Sequence, residues 1–291
     1  MKYCYLLIAL FFVSISASAQ KGKSGSIKAS GFHITMPLRE MFKYFKVDEK
    51  TTGELKESED RENRKPAKFP FTIADGIQYG NEAKSVQTKM GDVPALETRA
   101  SWAGQTASGF RPFDPSGAVG PNHYVQMINS TTFKMYNKTG GVLLTGSLGS
   151  LWSPATGNTG DPIVLYDKNA DRWMLAQFGS STDKKIYIAI STTNDPTGSY
   201  YTYTYVSPLF PDYLKFSVWQ DGYYMTSNQT NQVVFAFDRT AMLAGTPGAK
   251  SVYVAFAPPK SGFFVPLPGD ASDGVLPPAG TPCPIYLSKN K

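Results

Sequence analysis

The strongest constraint on what this chain can fold into is a repeat with a period of close to fifty residues. Three segments, 114–129, 161–178 and 212–228, each open on an aspartate and run into an aromatic-rich stretch. The opening aspartates, Asp114, Asp161 and Asp212, stand 47 and 51 residues apart, and the aromatics Tyr124, Trp173 and Tyr223 stand 49 and 50 apart. Each segment then turns through polar residues into a second alternating stretch, at 132–136, 185–190 and 233–237. Alternation of period two places one face of a strand inward and the other outward, and β-branched and aromatic residues cut by Gly, Asn, Asp and Pro are the composition of strands and tight turns. A unit of that length with several strands cannot bury its apolar face alone and must stack on its neighbours.

The sequence therefore predicts an all-β, β-propeller-like fold of antiparallel blades of about fifty residues. Strands are expected near 123–129, 132–137, 172–178, 185–191, 222–228 and 233–238. A β-sandwich with coincident strand spacing is the alternative. Propellers close with about four to eight blades. The stretch 114–291 supplies three full repeats, and Pro284-Ile285-Tyr286 reads as the opening of a fourth. The repeat domain is thus expected to be incomplete, a piece of a longer protein.

Ahead of the repeats the texture differs. Residues 1–19 combine Lys2, an apolar run through Val13 and a small-residue end at Ala17 and Ala19. That is the three-part pattern of a cleaved secretory signal, and its apolar run is too short for the ~20 residues that span a bilayer. The expectation is a secreted or surface protein, the periplasm included, with no transmembrane anchor in the mature chain. Residues 20–68 are Gly/Ser/Lys-rich and then dense in alternating charge, which predicts a mobile segment. Residues 69–113 form a mixed lead-in, with Trp102 and Phe110 as candidate anchors. Cys4 leaves with the signal, so Cys283 has no partner for an internal disulfide and reads as a small buried hydrophobe.

Composition closes several routes to function. From Asp114 onward twelve Lys/Arg face eleven Asp, so the formal +6 of the chain is concentrated in the N-terminal third. A near-neutral repeat body does not suit nucleic acid, which needs clustered cations. No Glu follows Glu97, and the only histidines are His33 and His123. One thiol and two distant imidazoles do not make a zinc site, and neither a dinucleotide fingerprint nor a P-loop is present. No metal or other cofactor is predicted. Asp167-Lys-Asn169-Ala-Asp171 has alternating oxygens but lacks the glycine and the terminal glutamate of a calcium loop, and reads as a hairpin turn.

The motifs around the repeats carry a resemblance. Asp114-Pro, Ala118-Val-Gly-Pro-Asn-His-Tyr-Val-Gln126, Gly160-Asp-Pro-Ile-Val-Leu-Tyr-Asp167, Asp171-Arg-Trp173, Asn194-Asp-Pro-Thr-Gly198 and Pro211-Asp-Tyr213 resemble a family of secreted bacterial repeat proteins, including large multidomain exports of Bacteroidetes with C-terminal sorting domains. The resemblance, from about 113 to 280, implies export and a longer chain and no particular chemistry. More distantly, Asp114-Pro115 and Asp161-Pro162 are similar to the blade openings of five-bladed propeller glycosidases. That likeness implies a general base at Asp114 and a modulating carboxyl at Asp161. The departure is at the third repeat, which opens with Asp212 where that family has a glutamic acid.

Asp114, Asp161 and Asp212 are therefore the candidate catalytic residues, since inverting hydrolysis needs one carboxylate to activate water and one acid for the leaving group. The structural reading is favoured over it: aspartate opening each repeat as a turn former, bonding backbone amides of its own blade. Trp152, Trp173 and Trp219 are candidate sugar-stacking residues, against burial between blades. The function expected is a binding or scaffold module for a glycan or protein ligand. A glycoside hydrolase using the three aspartates is the alternative.

Overall fold

A computed structural model describes residues 23–44, 56–57, 100–106, 110–111, 113–129, 132–229, 232–256 and 265–286. The signal segment lies outside the described residues, as do most of 45–99. Three antiparallel sheets follow one another along the chain. The first blade is β5 (Ser116–Val119), β6 (His123–Met127), β7 (Thr132–Asn137) and β8 (Val142–Ser147), paired in that order. The second is β9 (Ile163–Asp167), β10 (Arg172–Phe178), β11 (Lys185–Ser191) and β12 (Tyr200–Val206). The third is β13 (Asp212–Val218), β14 (Gly222–Asn228), β15 (Gln232–Asp238) and β16 (Lys250–Phe256). The six strands expected from the alternation coincide with β6, β7, β10, β11, β14 and β15 to within two residues at each end. The fold is all-β and propeller-like, an arc of three blades with β9 against both β5 and β13.

Two apolar cores lie between the blades, which is why the strands of the second blade are buried on both faces. Trp173, Leu175, Tyr187 and Ala189 face the first blade and meet Val125, Met127, Phe133 and Met135. Met174, Ala176, Ile186, Ile188 and Ile190 face the third and meet Tyr223, Met225, Phe235 and Phe237. The continuous apolar runs of β10 and β11 follow from this position, since a sheet covered on both sides has no polar face to present. A buried ion pair links the second and third blades. Arg239, at the start of helix α2 (Arg239–Leu243), donates from Nε to Asp167 Oδ2 at 2.7 Å and from Nη2 to Oδ1 at 3.0 Å. Tyr223 donates its hydroxyl to the same carboxylate at 2.9 Å. Asp167 also accepts from the amide of Ala170 at 3.1 Å, so the 167–171 stretch is the hairpin turn its sequence indicated.

The expectation of a mobile 20–68 is corrected over its first part. Lys23–Lys28 (β1) pairs antiparallel with β16 as a fifth strand of the third blade, and Gly31–Ile34 (β2) pairs with β12 as a fifth strand of the second. Helix α1 (Leu38–Met41) and Phe42 then close on the core of the first blade, where Phe42 packs edge-on against Phe133 at 5.6 Å. The arm thus crosses the outer rims of all three blades. Its low apolar content misled because its ordering comes from backbone pairing to exposed sheet edges, which side-chain hydrophobicity does not report. Residues 45–55 and 58–68 lie outside the described residues. Lys56–Glu57 (β3) and Phe110–Arg111 (β4) make a short parallel pair. Trp102 packs on Tyr124 and Tyr136 at 6.1 Å each and covers the outward face of the first blade.

The stretch read as the opening of a fourth blade does not start one among the described residues. Ile285–Tyr286 (β18) pairs with Leu267–Pro268 (β17), a two-stranded piece laid against β13 and β14. Cys283 is half-buried there, and burial pushes its thiol up to about 11. Among the described residues no helix is long and apolar enough to cross a membrane.

Candidate functional site

The first strand of each blade begins at the same end of the arc, and these three starts form one pocket. It is lined by three tripeptides, Asp114-Pro115-Ser116, Asp161-Pro162-Ile163 and Tyr213-Leu214-Lys215, around a cavity of about 240 Å³. The pairing register shows that the tripeptides are equivalent. Ser116 pairs with Met127, Ile163 with Ala176 and Lys215 with Thr226, each partner three residues beyond the repeat aromatic Tyr124, Trp173 or Tyr223. Counting back two residues gives Asp114, Asp161 and Tyr213. A bulge between Asp212 and Lys215 inserts the extra residue. Tyr213, not Asp212, therefore occupies the third equivalent position, a correction to the symmetric trio of aspartates read from the sequence.

The backbone marks the same three residues. Asp114, Asp161 and Tyr213 have φ of 34°, 38° and 56°. Side-chain-bearing residues rarely adopt this region, and two of the three precede proline, which pushes the preceding residue to extended conformations. Strain of this kind costs on the order of 1–3 kcal/mol per residue and is held in place by the surrounding sheet.

The electrostatics of the pocket centre on Asp161. Burial raises its pKa first; the nearby charges of Asp114 and of Asp212, together with a hydrogen bond shared with Asp114, raise it further, and only Lys215 opposes them. The result is a carboxyl pushed up to about 7. Asn129, at the end of the first hairpin, donates to Asp114 Oδ2 at 3.2 Å. Ser116 Oγ accepts from the amide of Val164 at 3.0 Å and ties the first two inner strands together. Lys215 Nζ lies 3.5 Å above the centroid of the Tyr213 ring, so the third wall combines a cation and an aromatic face.

The expectation that each aspartate bonds amides of its own blade, well separated from the others, gives way here for Asp114 and Asp161, whose carboxyl groups meet across the blade interface. Asp212 stands beside the pocket, near enough to bear on Asp161, without lining it. The tryptophans do not reach the site. Trp152, Trp173 and Trp219 are at most 9% exposed. Their ring nitrogens donate to the backbone carbonyls of Tyr203 (3.1 Å), Asn194 (2.9 Å) and Thr281 (2.8 Å). With both the rings and the N–H groups engaged, stacking on a sugar is closed to them, and the sugar-stacking expectation is corrected to a packing role. Tyr213, Lys215 and Asn129 were not among the residues singled out from sequence, because only the pairing register places them. Among the described residues no group of three or more His, Cys, Asp or Glu is arranged to hold a metal ion.

No protein-family model matches the chain. No curated protein matches it by sequence. Among solved structures it is similar to a GH43 β-1,3-galactosidase, at 12% identity over 43% of this chain, with a TM-score of 0.31. The chain spans 32% of the length of that galactosidase.

Proposed function

We propose that the protein is an exported binding module whose pocket at the converging inner strands holds a terminal sugar unit of a glycan. The observation that carries this reading is the joining of Asp114, Asp161, Tyr213 and Lys215 in one cavity by three equivalent strained tripeptides. Carboxyl oxygens accept hydrogen bonds from sugar hydroxyls, a lysine ammonium donates to them, and a tyrosine ring offers an apolar face to a pyranose. At about 240 Å³ the cavity falls below the roughly 300–1,000 Å³ of drug-sized sites, which suits one ring and not an extended oligosaccharide. Export rests on the signal pattern of residues 1–19.

Binding is favoured over hydrolysis by the geometry of the pair. An inverting glycosidase holds its acid and base roughly 6.5–9.5 Å apart to admit sugar and water. Asp114 and Asp161 instead lie side by side in one small cavity, close enough for the Asp114 charge to bear on Asp161, and the third equivalent position carries Tyr213 in place of a carboxylic acid. The hydrolase reading is kept by one observation, the carboxyl of Asp161 tuned to about 7, where an acid catalyst works. Titration of monosaccharides and short glycans into the full-length chain, with Lys215→Ala and Asp114→Asn alongside, tests both. Saturable binding weakened by either substitution, without release of reducing sugar, supports the module. Turnover abolished by Asp161→Asn would replace it with the hydrolase.

A further inference from the structure

We propose, resting on the glycan-binding reading of the same pocket, that its preferred ligand carries a free primary ammonium: a terminal amino sugar in place of a neutral or acidic one. Three carboxyl groups bear on the site, Asp114 from the start of β5, Asp161 from the start of β9 and Asp212 from β13, and one cation, Lys215, stands against them. Among the described residues, the other titratable group lining the pocket is Tyr213. Adjacent carboxylates repel one another, and burial together with the charges of Asp114 and Asp212 favours the protonated form of Asp161. An ammonium supplies the missing positive charge directly, with three N–H donors for acceptors that lie on both Asp114 and Asp161.

The third wall already accommodates that chemistry. The ammonium of Lys215 rests on the Tyr213 ring at 3.5 Å, the geometry by which aromatic faces bind cations. A uronate would add a negative charge beside three carboxyl groups. A neutral sugar would meet the protonated pair and leave its charge imbalance in place. On ammonium binding the Asp161 O–H bond breaks, its proton passes to solvent, and the resulting carboxylate accepts from the ammonium; no other bond changes. Binding is therefore linked to release of a proton.

Calorimetric titration of the full-length chain at pH 6, in two buffers of different ionisation enthalpy, tests the proposal with glucosamine, glucose, N-acetylglucosamine, glucuronate and Nα-acetyl-lysinamide as probes. Glucosamine is expected to bind at least tenfold more tightly than glucose or N-acetylglucosamine, with glucuronate weakest. It should release close to one proton per site, and its affinity should rise severalfold per pH unit between 5 and 6.5. Asp161→Asn is expected to remove the proton release while the thermal unfolding transition persists. Glucose bound as tightly as glucosamine, or glucosamine bound with no proton release, overturns the ammonium preference and leaves the glycan-binding reading intact. Binding of Nα-acetyl-lysinamide alone, or of none of the five, overturns both.

Discussion

Replacing Asp161 by asparagine isolates the electrostatic cost of the pocket. Asparagine keeps the size, tolerates the left-handed backbone at φ 38° and offers an N–H to Asp114 in place of the acid proton. In the wild type the folded-state pKa of Asp161 lies at about 7 against 3.8 for the free group. A carboxyl whose pKa is raised on folding binds its proton more tightly in the native state, so native stability falls as pH rises from about 4 to about 7 and stays lowered above it. At about 1.4 kcal/mol per pH unit the shift corresponds to a ceiling of about 4 kcal/mol. Asp161 keeps some contact with water, which screens the interaction and brings the expected value to about 2–3 kcal/mol. Every other ionisable group is common to the two proteins, so the difference between them follows Asp161 and its partners in the pocket. Urea unfolding of wild type and Asp161→Asn at pH 4.5, 6 and 8, compared at equal m-values, reads it out. The variant should exceed the wild type only slightly at pH 4.5, where part of the unfolded-state ionisation has already occurred, and by that full margin at pH 8. A difference independent of pH, or one that shrinks as pH rises, would refute the assignment of a raised pKa to this carboxyl.

Other outcomes follow from packing. Asp167→Ala should destabilise the fold by about 3–5 kcal/mol, because it leaves the Arg239 guanidinium buried and unpaired; pairing it with Arg239→Met should recover much of the loss in a denaturant double-mutant cycle. Leu38 is fully buried, so Leu38→Ala in the rim-crossing arm should cost about 2–5 kcal/mol by cavity formation. Native-state hydrogen exchange should show the amides of β1 and β2 protected along with the blades, and exchange as fast as in an unfolded peptide would contradict the arm's pairing. Trp219→Phe should lower thermal stability by removing the bond to Thr281 while leaving sugar affinity within twofold. The Cys283 thiol, pushed up to about 11, should resist iodoacetamide at pH 8 in the native protein and react fully once it is unfolded in urea.

The sequence by itself determined the blades. Period-two alternation in 132–136, 185–190 and 233–237 is a local property, and a strand with one buried face shows it. The same holds for the hairpin turn at 167–171. It also marked Asp114 and Asp161 as a repeated chemical feature, without telling whether they meet. The tertiary structure decided three other matters. The arm residues 23–42 are ordered by edges that exist only once β12 and β16 are in place. The three tryptophans are closed off by partners 21 to 62 residues away in sequence. Membership of the site turned on register. The inner hairpin is longer in the second blade than in the other two by one paired residue on each strand, and a bulge shifts the third by one more. Simple spacing therefore aligned Asp212 where backbone hydrogen bonding puts Tyr213. A one-residue slip exchanges the two faces of a strand, and only the pairing of a strand with its neighbour fixes which residue looks into the pocket.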